Sequence, residues 1–252
     1  MPALKHLIFD LHGVLADGRK LVKFYDAEFV RVLGRVGIDS ERAIKYHRQL
    51  LDWWQKQALE IYKSRSERVL EEMSNLDDRY EQAMLSIIAK HTEKPLNEYY
   101  LDIESRGFEF RASSQGNGSF PDVKPALENI RHSYPNLLLH VASNAHSSHV
   151  RGTLVGAHLT TYFSCILGYD HIGFHKTNSQ YWSRLLQAIN GNSAETVFVG
   201  NSQEEIEGCK KVGITCIIIE RDEVPDHSIS GNYLTIKNLS EVLPVLNNLE
   251  SI

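Results

Sequence analysis

Short apolar runs spaced by segments of helical length constrain this chain most. Leu7–Phe9 (LIF), Leu137–Ala142 (LLLHVA), Thr196–Val199 (TVFV) and Ile214–Ile219 (ITCIII) are each long enough for a buried strand and too short for a helix. Phe163–Leu167 and Tyr233–Ile236 predict two more strands. Between and after them the spacing predicts helices over Val123–Tyr134, Ser147–Ala157, Asn178–Ile189, Gln203–Val212 and Leu239–Leu249. Strands that alternate with such helices imply βαβ units, so the fold class is α/β with a parallel sheet.

The stretch after the first strand breaks this alternation. Lys20–Gly37 has helical spacing, with Gly37 as its expected C-terminal cap. Asp39 and Ser40 can cap a second helix, whose apolar stripe runs through Leu50, Trp54, Ala58 and Ile61. Further helical stretches are expected over 66–73 and 77–90, with a short one from Pro95 to Tyr100. Residues 111–120, RASSQGNGSF, read as a linker. The expected organisation is an α/β core made of 1–15 and 111–252, with a helical cap over 16–110. A helical insert directly after the first strand sits at the carboxyl edge of the sheet. There it suits either a lid that excludes water or a purely structural or partner-binding bundle.

Composition narrows the function classes. With 42% hydrophobic and 23% charged residues the chain reads as soluble and globular. A net charge of -5 gives no basic footprint for nucleic acid or an anionic membrane, and no stretch approaches the length of a membrane span. Lys5 and Asp10 leave too short an apolar core for a signal peptide. Three cysteines, an odd number, argue against a disulfide framework, so the expected location is the cytoplasm. Seven of the twelve histidines lie between His132 and His175. His146/His149 and His171/His175 have helical ligand spacing, but nothing completes a zinc set, and these histidines read as mostly structural or surface residues.

Four stretches carry candidate chemistry. Asp10 follows the first strand directly, and Gly13 allows a turn just beyond it. A carboxylate at the carboxyl end of a parallel strand is a nucleophile or a metal ligand, or else a residue that opens a turn. Ser143 and Asn144 follow LLLHVA, Lys176 precedes a predicted helix, and Val199–Gly208 (VGNSQEEIEG) follows TVFV. Taken singly, the serine reads as a turn or cap residue and the lysine as solvated surface.

In order and spacing these stretches resemble the motifs of the haloacid dehalogenase-like (HAD) hydrolases. LIFDLHGVL looks like the first HAD motif. The insert resembles a C1-type cap, and Phe120-Pro121-Asp122-Val123 resembles the segment that follows it. The resemblance implies a Rossmann-like core. It also implies Asp10 as nucleophile, Ser143, Asn144 and Lys176 as holders of the transferred group, and a Mg²⁺ site on Asp10, His12, Asn201 and Glu205. His12 would contribute there through its backbone carbonyl.

Three positions depart from the family pattern. His12 replaces an acid/base aspartate, and Asn201 and Glu205 replace the acidic pair of the fourth motif. The losses fall on metal binding and proton transfer, so weakened Mg²⁺ binding is expected. His12 reads either as a substitute acid/base, since its ordinary pKa of about 6.5 suits that work, or as the remnant of a lost function. Three functions stay open, and the first leads because phosphatases are the commonest members of the family. The first is a phosphatase for a small, anionic phosphorylated metabolite, with His12, Asp10 and Lys176 catalytic. The second is a metal-independent hydrolase like the 2-haloacid dehalogenases, for which Arg19 is the candidate cap arginine. The third is a non-catalytic protein that binds a ligand or partner.

Overall fold

The computed structural model describes residues 3–64, 68–221 and 234–250. The first half holds β1 (His6–Phe9), α1 (Gly18–Gly34), α2 (Ser40–Ser64), α3 (Val69–Ala89), α4 (Tyr100–Ile103), α5 (Ser105–Ser113) and α6 (Val123–Ser133). It continues with β2 (Leu138–Ala142), α7 (Ser147–Gly156), β3 (Cys165–Leu167), α8 (Tyr169–Ile172) and α9 (Ser179–Ala188). β4 (Thr196–Gly200), α10 (Gln203–Val212), β5 (Thr215–Ile219), β6 (Leu234–Ile236) and α11 (Val242–Glu250) close the chain. Tyr233, expected at the start of the last strand, lies outside the described residues.

The strands form one parallel six-stranded sheet in the order β3-β2-β1-β4-β5-β6. This is a Rossmann-like α/β architecture. β1 lies between β2 and β4, with His6 level with both Leu138 and Thr196. The chain runs outward from β1 through β2 to β3 on one side and crosses to β4 on the other, so the strand order reverses beside β1, which opens a crevice at its carboxyl end. Both faces of the sheet are covered. Leu7 and Phe9 pack with Leu127, Val150 and Leu246 on one side, and Ile8 packs with Tyr181, Trp182 and Leu185 on the other. Burial on two faces is why β1 reads as a continuous apolar run.

The helices after β1 have their own core of Phe29, Val32, Leu33, Ala43, Met84, Ile88 and Phe108. Glu28 is buried beside it, accepting hydrogen bonds from Arg31 at 2.8 Å and Arg111 at 2.7 Å. A second cluster of Ala58, Val69, Met73 and Leu76 reaches across to Tyr169 in α8.

Several boundaries differ from the sequence expectation. The stretches expected over 66–73 and 77–90 belong to one helix from Val69 onward, because Ser74 and Asn75 fall on the solvent face while Met73 and Leu76 continue the buried stripe. α1 stops at Gly34, and Gly37 takes its φ of 80° in the turn that follows. The expected linker begins only after Ser113, because Ala112 and Ser113 are fully buried and hold the end of α5 helical. Tertiary burial there overrides the weak helix preference of serine.

Candidate active site

Asp10, Lys176 and Glu205 meet at the carboxyl end of β1. Asp10 follows the strand, and its N–H donates to the Val199 carbonyl at 2.9 Å, which ties it to β4. Lys176 Nζ donates to Asp10 Oδ1 and to Glu205 Oε1, each at 2.5 Å. All three residues are buried. Burial pulls the Lys176 pKa down, but the two carboxylates outweigh it and hold the pKa well above the ordinary lysine value. Burial pushes Asp10 up to about 6 against the pull of Lys176, with Glu205 adding to the rise.

The remaining Glu205 oxygen is also committed. Oε2 accepts the N–H groups of Asn201 at 2.8 Å and Ser202 at 3.0 Å, closing a capping box at the start of α10. Asn201 approaches the turn at Gly13, where φ is 80° and a Cβ would collide with the Asn201 amide. Asn144 Oδ1 accepts the Lys176 N–H at 2.9 Å, and its Nδ2 donates to Glu204 at 3.2 Å. Ser143 is 2% exposed, and its Oγ accepts the Ala145 N–H at 3.1 Å. Trp182 Nε1 donates to the Lys176 carbonyl at 3.1 Å, which fixes the lysine backbone from behind.

Gly208 makes that support possible. A Cβ there would overlap the buried Trp182 indole. Gly208→Ala is expected to cost about 1–3 kcal/mol through forced repacking, read as a lower urea midpoint at unchanged slope.

Asp10, Lys176 and Glu205 are in direct contact, with Asn144 on the Lys176 backbone and Asn201 at the Gly13 turn. An ammonium bridges the two carboxylates that a cation would need, and the second Glu205 oxygen is held by two amides. Asn201 adds no charge. Mg²⁺ favours anionic oxygen ligands and near-octahedral geometry. This donor set does not fit it.

His12 takes part in a cluster that the sequence did not disclose. Its Nε2 is 3.0 Å from His149 Nε2, and His149 Nδ1 is 2.6 Å from the Tyr25 hydroxyl. The chain of contacts runs from the turn after β1 through α7 to α1. Burial, with Lys176 adding, lowers His12 to about 4, and burial lowers His149 to about 3. Both rings are thus neutral near pH 7. Spacing alone pairs His149 with His146, but His146 instead caps α7, its Nδ1 accepting the Ser148 N–H at 3.2 Å. No sequence signal links Tyr25 to His149, which lie 124 positions apart.

A cavity of about 420 Å³ lies between the helical insert and this end of the sheet. His12, Asn144 and His149 face it from the α/β side, and Tyr25, Trp54, Tyr62, Tyr80, Phe108 and Glu109 from the helices. Asp10 keeps 8% of its surface open. Arg19 also lines the cavity, and its guanidinium pairs with Asp17 at 2.8 and 2.9 Å.

A family model described as haloacid dehalogenase-like hydrolase matches residues 7–219. The chain belongs to the haloacid dehalogenase-like hydrolase family. Among solved structures, the 2-haloacid dehalogenase from Pseudomonas syringae pv. Tomato DC3000 is similar at TM-score 0.65 and 19% identity, covering 98% of this chain and 99% of the other. The L-2-haloacid dehalogenase from Xanthobacter autotrophicus is similar at TM-score 0.62 and 14% identity, covering 98% and 99%. A HAD phosphatase from Thermococcus onnurineus is similar at TM-score 0.58 and 18% identity, covering 96% and 98%. At these identities the likeness concerns the fold. A phosphoglycolate phosphatase from Mesorhizobium japonicum (strain LMG 29417 / CECT 9101 / MAFF 303099) is 24% identical over 101 residues, 40% of this chain. This HAD-like chain spans only 44% of that relative's length. No described helix is long and apolar enough to cross a membrane.

Proposed function

We propose that this HAD-like chain is a metal-independent hydrolase in which Asp10 is the nucleophile toward a small organic substrate. The observation that carries this reading is the donor set beside Asp10: Asn201 adds no charge, and both Glu205 oxygens are committed, Oε1 to Lys176 and Oε2 to the Asn201 and Ser202 N–H groups. In the first step an Asp10 oxygen attacks the substrate carbon. A C–O bond forms, the bond to the leaving group breaks, and that group departs with its electron pair as an anion. Leaving groups such as halide need no proton, which suits a site whose histidines are neutral. In the second step water attacks the Asp10 carbonyl carbon, the acyl C–O bond breaks, the product leaves as an alcohol that carries one of the water protons, and Asp10 is regenerated as a carboxylate with release of the other. His12 is the group that takes the water proton, oriented through His149 and Tyr25. Lys176 balances the Asp10 carboxylate before the first step and the oxyanion that develops on the Asp10 carbonyl as water attacks in the second.

The phosphatase relative favours a second reading, hydrolysis of a phosphorylated metabolite. The two part on one experiment. Halide release from α-halo acids and amides, and phosphate release from an aryl phosphate, are each measured in EDTA and in Mg²⁺. Turnover of an organohalide that is equal in both conditions is expected. Phosphate release that requires Mg²⁺ overturns the proposal and installs the phosphatase. The pH profile adds a check. Asp10 must be ionised to attack and its pKa lies at about 6. kcat/KM is therefore expected to fall on the acid side with an apparent pKa near 6, two units above an ordinary aspartate of about 4.

A further inference from the structure

The cavity wall shows what kind of molecule it accepts. Its acids are Asp77 and Glu109, both in the helical insert. Arg19 is its one lysine or arginine among the described residues, and its guanidinium is paired with Asp17. Burial lowers the pKa of its histidines His12, His47, His146 and His149 alike, against the upward pull of Asp26 on His47 and of Asp170 on His146. The rest of the wall is mostly aromatic and aliphatic, with Trp54, Tyr62, Tyr80 and Phe108 prominent.

The two acids are incompletely used. Glu109 Oε2 accepts the Ser148 hydroxyl at 2.9 Å, and Asp77 Oδ1 accepts the Trp54 indole N–H at 3.2 Å. Burial and the charge of Asp77 push Glu109 up to about 8, and burial pushes Asp77 up to about 6, against a downward pull on both from Arg106, which does not line the cavity. Two carboxyls held in a low-dielectric aromatic chamber are costly to ionise without a cation. A phosphate or carboxylate ligand would meet them with the same sign of charge. A cation would meet opposite charge and the negative faces of the rings.

We propose that this cavity binds an organic ammonium ion, its nitrogen facing Glu109 and Asp77 and its carbon skeleton against Trp54, Tyr62 and Tyr80. The inference deepens the hydrolase reading by naming the substrate class of the cavity whose wall holds His12 and Asn144, next to Asp10 and Lys176 rather than formed by them, and it rests on that reading for what happens at Asp10. It also runs against the anionic substrate expected from the sequence.

The test is binding, not turnover. Calorimetric titrations at pH 8 compare 2-phenylethylammonium, 2-phenylethanol and 3-phenylpropanoate, which share a ring and differ in charge. The ammonium probe is expected to bind at least about tenfold more tightly than the alcohol, and the carboxylate most weakly. Glu109→Gln and Asp77→Asn should each weaken the ammonium probe at least about fivefold and leave the alcohol unchanged. At pH 7 the heat of ammonium binding should differ between buffers of different ionisation enthalpy, because Glu109 gives up its proton to the buffer. Equal binding of ammonium and alcohol, or tightest binding of the carboxylate, overturns the inference. If Glu109→Gln does not fold, Asp77→Asn and the buffer dependence of the wild type still decide it. Asp10→Asn should bind the ammonium probe as the wild type does. Ammonium binding with no hydrolysis of any substrate sinks the hydrolase reading alone. Hydrolysis without ammonium selectivity sinks this inference alone.

Discussion

Replacing Lys176 with methionine is expected to lower the melting temperature by roughly 10 °C and to abolish turnover. The side chain is buried, and its Nζ lies 2.5 Å from one oxygen of each carboxylate. Without it Asp10 and Glu205 face each other in a buried site with no counter-charge. Breaking a buried charge pair by removing one partner costs about 3–5 kcal/mol, because the remaining charges are left uncompensated. Asp10 escapes by taking a proton, so its pKa rises further and the attacking form is lost near pH 7. Two measurements check this: a calorimetric melt, and turnover across pH. A third separates the charge from the packing. In Lys176→Met, Mg²⁺ is expected to raise the melting temperature by several degrees, since the two carboxylates then lack a cation. The wild type is expected not to respond. A Lys176→Met variant that melts like the wild type would show that the ammonium does not hold this site together.

Asp10→Asn is expected to reduce kcat by at least about 10⁴-fold without lowering the melting temperature. An amide is not a nucleophile at carbon, so the covalent step is removed. The stability argument has the opposite sign from most buried substitutions. The folded-state pKa of Asp10, about 6, lies above the unfolded value. Its contribution to stability is full below the unfolded pKa and is lost as pH rises through about 6. At pH 7 to 8 the wild type carries that cost and the asparagine variant does not. Melts and single-turnover assays at pH 7.5 on the same preparation test both halves. A clear fall in melting temperature would mean that Asp10 is structural.

Much of the site was legible because chemistry and strand ends coincide along the chain. Asp10, Ser143 and Val199–Gly208 each follow an apolar run directly, and parallel strands gather such points at one edge. Lys176 is not at a strand end, and only its place in the motif order marked it. Its role needed the tertiary contact, since 166 positions separate it from Asp10. The helical boundaries were less legible. Whether Ser74 and Asn75 break a helix or coat its outer face depends on what packs beneath them, and local propensity does not encode that.

The sequence by itself determined the α/β alternation, the helical insert after the first strand and the carboxylates at the strand ends. These follow from hydrophobic periodicity and from the cost of burying unpaired polar groups, which act locally along the chain. Only the tertiary structure decided what those groups face. It put an ammonium between the two carboxylates, joined His12 to His149 and Tyr25, and lined the cavity with two acids and a set of rings. Charge interactions depend on distance and burial, and both are set by packing between segments a hundred or more residues apart.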